Sequence, residues 1–268
     1  MRQVVFITGV SSGFGKRIAV LLSSKGYAVY GTTRKDIETD HNVTILRADV
    51  TDAASLKIAV DTVIRKEGRI DIVINNAGMG ISGPIEEFSV EDIKVQMGTN
   101  VVGVVNTIQA VLPVMRKQGS GTIINISSIG GLMGLPFQGF YSASKYAIEG
   151  LSEALRMEVK QFGIKVVVIE PGDFATNFTA NRKIVANGTT NSAYKEQFSK
   201  TLAIIEKDEK GGMPPEFLAN KLLKIIQKKN PCHRYVISSF EQKLAVCLKS
   251  VLPDSWFFKI LASHYGIK

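Results

Sequence analysis

The sequence predicts a doubly wound α/β domain: a parallel sheet with helices packed against both faces. Three observations carry that expectation. Short, unbroken apolar runs such as Val4-Val5-Phe6-Ile7 recur along the chain, as in strands buried on both faces. Stretches with helical periodicity lie between them, long enough to carry the chain back over the sheet. The 268 residues, 45% hydrophobic and 21% charged, suit one such domain with a covering segment.

The first run ends at Thr8-Gly9-Val10-Ser11-Ser12-Gly13-Phe14-Gly15. A helical pattern through Ile18, Leu21 and Leu22 follows at once and closes at Gly26. Strand, glycine-rich turn and helix set backbone N–H groups and a helix N-terminus against a pyrophosphate. The spacing is Gly-x-x-x-Gly-x-Gly rather than the commoner Gly-x-Gly-x-x-Gly. A second strand at residues 28–32 ends in Thr33-Arg34-Lys35. A dinucleotide fold that prefers NAD carries an acid near this tip for the ribose 2′-hydroxyl, whereas Arg34 suits a 2′-phosphate. NADP(H) is therefore expected over NAD(H). The third strand, residues 43–46, leads to Asp49-Val50 and a helix over residues 52–67; Asp49 either bonds an adenine amino group or caps the turn. Residues 70–74 form the fourth strand, opening into Asn75-Asn76-Ala77-Gly78. From Asn100 a helix carries Val101, Val104, Val105, Ile108, Val111, Leu112 and Met115, with Pro113 as a kink site. The fifth strand, residues 122–127, delivers Ser127-Ser128 at its C-terminal end, where open α/β sheets bind ligands. The sixth, residues 166–169, is ended by Pro171-Gly172.

Tyr141 and Lys145 stand four apart on a predicted helix and so share a face. A free tyrosine titrates near ~10 and is a poor acid or base at neutral pH. Burial raises that value and a neighbouring ammonium lowers it, so Lys145 is expected to make the pair chemical. Ala143, Ala147, Gly150 and Ala154 form a small-residue stripe on the same helix, suited to close packing against a neighbour.

Composition narrows the partners. Lys and Arg outnumber Asp and Glu by 33 to 24, giving +9, which suits an anionic partner such as a nucleotide phosphate. No basic motif interleaved with aromatics is present, so nucleic acid is not expected. Cys232 and Cys247 have neither metal nor disulfide spacing. With no signal-peptide pattern after Met1, this points to a reducing, cytoplasmic setting, and Asn187-Gly188-Thr189 reads as a chance sequon. No metal is expected, and no run approaches the ~20 apolar residues of a spanning helix.

Substrate choice belongs to the loops beyond the strand ends. Residues 130–140 contribute Leu132, Met133, Leu135, Pro136, Phe137 and Phe140, an apolar set of which about half should fill the core. Residues 173–213 read as a lid insertion with one helix bearing Tyr194, Phe198, Leu202 and Ile205, hinged at Gly211-Gly212. Pro214-Pro215 opens a helix with Leu218, Leu222, Ile225 and Ile226. The C-terminal extension, residues 240–268, holds two amphipathic segments with Trp256, Phe257 and Phe258 beside Lys249 and Lys259. Such a tail either lies on an anionic membrane or covers the chain's own substrate mouth, and the second use is favoured.

In order and spacing, Thr8-Gly9-x-x-x-Gly13-x-Gly15, Asn75-Asn76-Ala77-Gly78, Asn100, Ser128, Tyr141-x-x-x-Lys145 and Pro171-Gly172-x-x-x-Thr176 closely resemble the short-chain dehydrogenase/reductase family. The resemblance covers residues 3–180 and recurs weakly at Arg234-Tyr235-Val236-Ile237. It implies a Rossmann-type sheet of about seven strands in the order 3-2-1-4-5-6-7, in one domain over residues 1–268. It implies that Tyr141 is the general acid in carbonyl reduction and the base in alcohol oxidation. Ser128 would hydrogen-bond the substrate oxygen, Lys145 the nicotinamide ribose, and Asn100 a water linking Lys145 to solvent. Thr176 would meet the carboxamide after Pro171 and Gly172. Asp49, Val50, Asn76, Ala77 and Gly78 would line the adenosine half, and Gly9, Ser11, Ser12, Gly13, Phe14 and Gly15 the pyrophosphate. Phe14 departs from the aliphatic residue usual there. Substrate contacts would come from Ser128, Tyr141, Leu135 and Phe137. The implied substrate is a lipophilic ketone or secondary alcohol, by likeness to members acting on steroids, retinoids and long-chain keto compounds. A homodimer through the Asn100 and Tyr141 helices, or a homotetramer, is also implied. Two other readings stay open: a non-catalytic NADP(H)-sensing scaffold, and a peripheral membrane module.

Overall fold

A computed structural model describes residues 2–35, 37, 42–186 and 193–267. The sequon at Asn187 lies outside the described residues. The chain runs β1 (Val4–Thr8), α1 (Gly13–Ser24), β2 (Ala28–Thr33), β3 (Val43–Arg47), α2 (Ala53–Glu67) and β4 (Ile72–Asn75). A two-residue strand β5 (Ile81–Ser82) precedes α3 (Val90–Met97), which passes through a π-helical turn, Gly98–Val102, into α4 (Gly103–Gln118). Then come β6 (Gly121–Ile126), α5 (Gly139–Glu158), β7 (Ile164–Pro171), β8 (Lys183–Ile184), α6 (Lys195–Lys210), α7 (Pro215–Ile226), β9 (Arg234–Ile237), α8 (Phe240–Val251) and α9 (Asp254–His264).

The main sheet is seven-stranded and parallel, in the order β3-β2-β1-β4-β6-β7-β9. Leaving aside the short β5 and β8, which pair with each other, this is the expected 3-2-1-4-5-6-7. Successive side chains of a strand point to opposite faces, and β1 shows the result. Val4 and Phe6 join the core under α2, α4 and α5, with Leu56, Val60, Val111, Met115 and Ile148. Val5 and Ile7 join the core under α1 and α7, with Ile18, Leu22, Leu218 and Leu222. Every position of β1 is buried, which is why its sequence is a continuous apolar run rather than an alternation.

One helix start differs from the sequence reading. The helix expected from Asn100 begins at Val90, where Ser89 accepts from the Asp92 N–H as an N-cap. Its middle widens into the π turn that holds Asn100, and α4 continues unbroken past Pro113 to Gly119 in left-handed conformation. Among the described residues, Val90–Gln118 is the one helix long and apolar enough to cross a membrane. Its inner residues Val104, Ile108, Val111 and Met115 are buried in the sheet's core, so here it packs as a core helix.

The described residues of the 173–213 segment are tied down at several points. Phe174 bridges Met213, and Met213 N–H donates to the Asp173 carbonyl. A Cβ on Gly212 would lie 2.5 Å from the Asp173 carbonyl carbon, so close backbone approach demands a glycine here. Midway, Lys183 pairs with Asp92 at 2.5 Å, an ion pair that holds the Asp92 carboxyl below the usual carboxylate range.

Candidate active site

A cleft of about 1300 Å³ opens along the C-terminal ends of the strands. One end is built on the turn between β1 and α1. Gly9 and Gly13 take φ of 73° and 55°, a region that side chains rarely enter. Gly15 lies beneath them and does not line the cleft: a Cβ there would sit 2.2 Å from the Gly9 carbonyl oxygen and 2.4 Å from Asn76 Nδ2. Asn76 Nδ2 donates to the carbonyls of Thr8 and Gly9, both at 2.9 Å, which clamps the turn. The Ser12 side chain makes no capping bond to α1, whose first turn holds no acid. The positive end of the helix therefore faces the cleft without a protein counter-charge, as an anion site requires. Phe14 turns its ring edge-to-face onto Phe174, 5.0 Å between centroids, so its bulk is taken up beside the turn. Opposite the turn stands Thr176, its Cβ 3.8 Å from where a Gly13 Cβ would be.

From there the cleft runs both ways. Toward the β2 and β3 tips it is lined by Arg34, Lys35, Asp49, Val50 and Ala77. Arg34 is largely exposed and lies 3.9 Å from Asp49 Oδ2. Asp49 Oδ1 accepts from the Thr51 N–H and hydroxyl at 2.9 and 2.8 Å, so the turn-capping use of Asp49 is realised. Toward β6 the cleft reaches Gly78, Ser128, Tyr141 and Lys145, with Pro171 and Gly172 on the β7 side.

Ser128 caps the short turn after β6, accepting from the Gly130 N–H at 3.0 Å. It also hydrogen-bonds the Tyr141 phenol. Lys145 is buried and donates from Nζ to the Ile126 carbonyl at 2.9 Å. Asn100 bonds the Met79 backbone through both N–H and carbonyl at 2.9 Å, and donates to Ser144 Oγ at 3.0 Å. It does not line the cleft; it fixes the loop on which Gly78 approaches Lys145. A Cβ on Gly78 would be 3.5 Å from Asn100 Oδ1 and 3.8 Å from Lys145 Nζ.

The electrostatics differ from the sequence expectation in one respect. Burial pushes the Tyr141 phenol up to about 12; the Ser128 hydrogen bond opposes this, Glu209 and Asp173 add to it, and Arg182 lowers it. Lys145 does not lower the phenol directly as expected: its ammonium lies 5.7 Å from the ring centroid and is committed to a main-chain carbonyl. Burial instead brings Lys145 itself down to about 8, opposed by the charge of Glu149. Tyr141 is thus held as a phenol at neutral pH, the form that gives a proton.

Leu135 sits against this corner, its Cδ1 3.1 Å from where a Gly130 Cβ would be, and lines the cleft. Phe137 corrects the sequence reading. Held at φ 57°, it packs on Phe198 of α6, 5.2 Å between centroids, and is not part of the cleft lining. The far wall is Phe178 together with Ala245 and Leu248 of α8, Phe257 and Leu261 of α9, and Tyr265 just after it. The inner face of the C-terminal segment thus lines the cleft. Its outer face leaves Phe240, Val251, Trp256 and Phe258 exposed. The lining also includes Asp173, Asp208 and Glu209, which the sequence reading does not single out.

A family profile described as short chain dehydrogenase matches residues 3–185. The chain belongs to the short-chain dehydrogenase family. A 3-ketodihydrosphingosine reductase of Bacteroides thetaiotaomicron is 49% identical to this short-chain dehydrogenase over 266 residues, 99% of each chain. An NADPH-dependent 3-dehydrocapnine reductase of Ornithobacterium rhinotracheale is 32% identical, covering 97% of this chain and 96% of that one. Among solved structures, a short-chain dehydrogenase from Streptomyces avermitilis superposes with a TM-score of 0.83 at 30% identity, over 98% of both chains. This short-chain dehydrogenase is an oxidoreductase acting between a carbonyl and a CH–OH group.

Proposed function

We propose that the protein uses NADP(H) to reduce the ketone of a long-chain substrate, with the 3-keto form of a sphingoid base as the leading candidate. The observation that carries this reading is the continuity of the cleft. It joins the anion-receptive glycine turn to the Ser128–Tyr141–Lys145 corner and continues beneath the apolar faces of α8 and α9. Two of the relatives matched over nearly their full length, a 3-ketodihydrosphingosine reductase and an NADPH-dependent 3-dehydrocapnine reductase, support the same substrate class.

The residues present fit a nicotinamide dinucleotide. The first turn of α1 would hold the pyrophosphate, Arg34 the 2′-phosphate, Asp49, Val50, Asn76 and Ala77 the adenosine, and Lys145, Pro171, Gly172 and Thr176 the nicotinamide end. When bound, the cofactor supplies the hydride. Tyr141 gives its phenolic proton to the carbonyl oxygen, and Ser128 donates a hydrogen bond to that oxygen as charge builds on it. Lys145 brings a positive charge to the nicotinamide end, and Asn100 fixes the loop facing it. A non-catalytic scaffold gains no support from a corner in which each of these groups is in place.

Consumption of NADPH with 2-amino-1-hydroxyoctadecan-3-one presented in detergent micelles tests the reading; no turnover there or with other long-chain ketones would overturn it. Two further results are expected. Arg34→Asp shifts the NADPH-over-NADH preference toward NADH by at least about tenfold, the worth of a charged hydrogen bond, and an unchanged ratio clears Arg34 of that role. In pH profiles, kcat/KM for NADPH reports the free protein. It should fall on the alkaline side of about 8, where Lys145 loses its proton. Tyr141, raised to about 12, adds no limb near neutrality. A profile flat through pH of about 10 would contradict the Lys145 assignment.

A further inference from the structure

One end of the cleft, beside Tyr141, is walled by carboxylates drawn from two distant segments. Asp173 follows β7, while Asp208 and Glu209 occupy the last turn of α6. That turn is the negative end of the helix dipole, where acids are disfavoured and cations preferred. Burial together with Glu209 and Asp208 raises the Asp173 carboxyl to about 6, opposed by its bond from Gln242 and by His264. The nearby Tyr265 phenol is also pushed up, by burial and then by the same three acids.

Part of this charge is answered within the protein. Asp208 Oδ2 lies 3.0 Å from His264 Nε2, and Glu209 pairs with Arg182 and accepts from the Thr179 hydroxyl at 2.6 Å. Asp173 has no cation bonded to it among the described residues; its partner is the Gln242 amide. Arg182 marks the same end from behind: it pairs with Glu209 but does not itself line the cleft. Its side chain is 2% exposed, yet Nε and Nη1 have no acceptor among the described residues. Its guanidinium lies over Phe178, 5.7 Å from the centroid, and Phe178 is 5.6 Å from the Tyr141 ring. Buried donors left unpaired directly behind Glu209 mark this end of the cleft as one whose charges the protein does not fully pair.

We infer that Asp173 and Glu209 bind the ammonium of an α-amino ketone, so that this wall selects amine-bearing substrates over plain long-chain ketones. The inference rests on the ketone reductase reading and names the residues that would recognise the amine of its leading candidate. An ammonium on the carbon next to the carbonyl would stand between these carboxylates and Tyr141 when the carbonyl oxygen is at Ser128. The arrangement also couples recognition to rate. Glu209 and Asp173 hinder the build-up of negative charge on the Tyr141 oxygen, and a cation between them cancels that field. The gain should therefore appear in kcat as well as in KM.

The test compares three ketones with NADPH: 2-amino-1-hydroxyoctadecan-3-one, its N-acetyl derivative, and 1-hydroxyoctadecan-3-one. The wild-type protein should prefer the free amine over both others by at least about thirtyfold in kcat/KM, the effect of a charge-assisted bond in a desolvated site. In Glu209→Gln and Asp173→Asn that preference should fall by about tenfold or more, while NADPH still raises the melting temperature of each variant. A wild-type preference near one overturns the inference and leaves the ketone reductase reading standing. So does a preference unchanged in both folded variants. If none of the three ketones consumes NADPH, the ketone reductase reading has failed, and this inference with it.

Discussion

Replacing Tyr141 by Phe should lower turnover by roughly 10²–10⁴-fold, the contribution of a positioned proton donor, while NADPH affinity stays near wild type. The substitution removes one oxygen and keeps the ring, so the contact with Phe178 at 5.6 Å survives. What it deletes is the hydroxyl bonded to Ser128 and held protonated by burial. A purely structural tyrosine would show a different pattern: a lower melting temperature and little change in kcat. Steady-state kinetics alongside cofactor titration separates the two. Activity near wild type would remove Tyr141 from the chemistry.

The second large effect is expected at a residue that touches no substrate. Gly15→Ala places a methyl group within 2.2 Å of the Gly9 carbonyl oxygen and 2.4 Å of Asn76 Nδ2, and neither can yield without opening the turn. Overpacking of this kind costs about 1–3 kcal/mol, and here the strain falls on the backbone that receives the pyrophosphate. Both the melting temperature and NADPH affinity should drop. Gly134, where an added methyl would meet nothing within 4 Å and φ is not positive, is the control: its alanine variant should stay within about 0.5 kcal/mol of wild type. A stable Gly15→Ala protein with normal NADPH binding would show that the clamp between Asn76 and the turn is unimportant.

Much of this architecture is legible in the residues alone. Parallel strands buried on both faces are apolar along most of their length, so β1, β4 and β7 announce themselves as runs. The glycine turn is legible because only glycine reaches its dihedral angles and its close contacts. The elements that escape are those without a local pattern. β5 and β8 are two residues each and exist only through each other. The start of α3 does carry a cue in Ser89 and Asp92, three apart before an apolar run, although the sequence reading starts this helix later, at Asn100.

The site divides the same way. Ser128, Tyr141 and Lys145 share a fixed spacing and arrive together at one corner of the cleft. The direction of Lys145 is not in that spacing, because the carbonyl it chooses belongs to β6, 19 residues earlier. Phe137 escapes for a related reason: its backbone at φ 57° turns the ring toward α6, a helix that local sequence does not place beside it. Asp173, Asp208 and Glu209 are ordinary surface-type residues in sequence. They become a site only when the Phe174–Met213 bridge draws the two ends of their segment together.

The central claim is that hydride from the cofactor and a proton from Tyr141 meet at one carbonyl within this cleft. It is tested most directly with NADPH deuterated at both C4 positions and 2-amino-1-hydroxyoctadecan-3-one in ordinary water, the product being read by mass spectrometry. The account predicts one deuterium, carried on the new carbinol carbon, and its near-complete loss with Tyr141→Phe. Product bearing no deuterium, or deuterated product formed equally fast without the phenol, would contradict it.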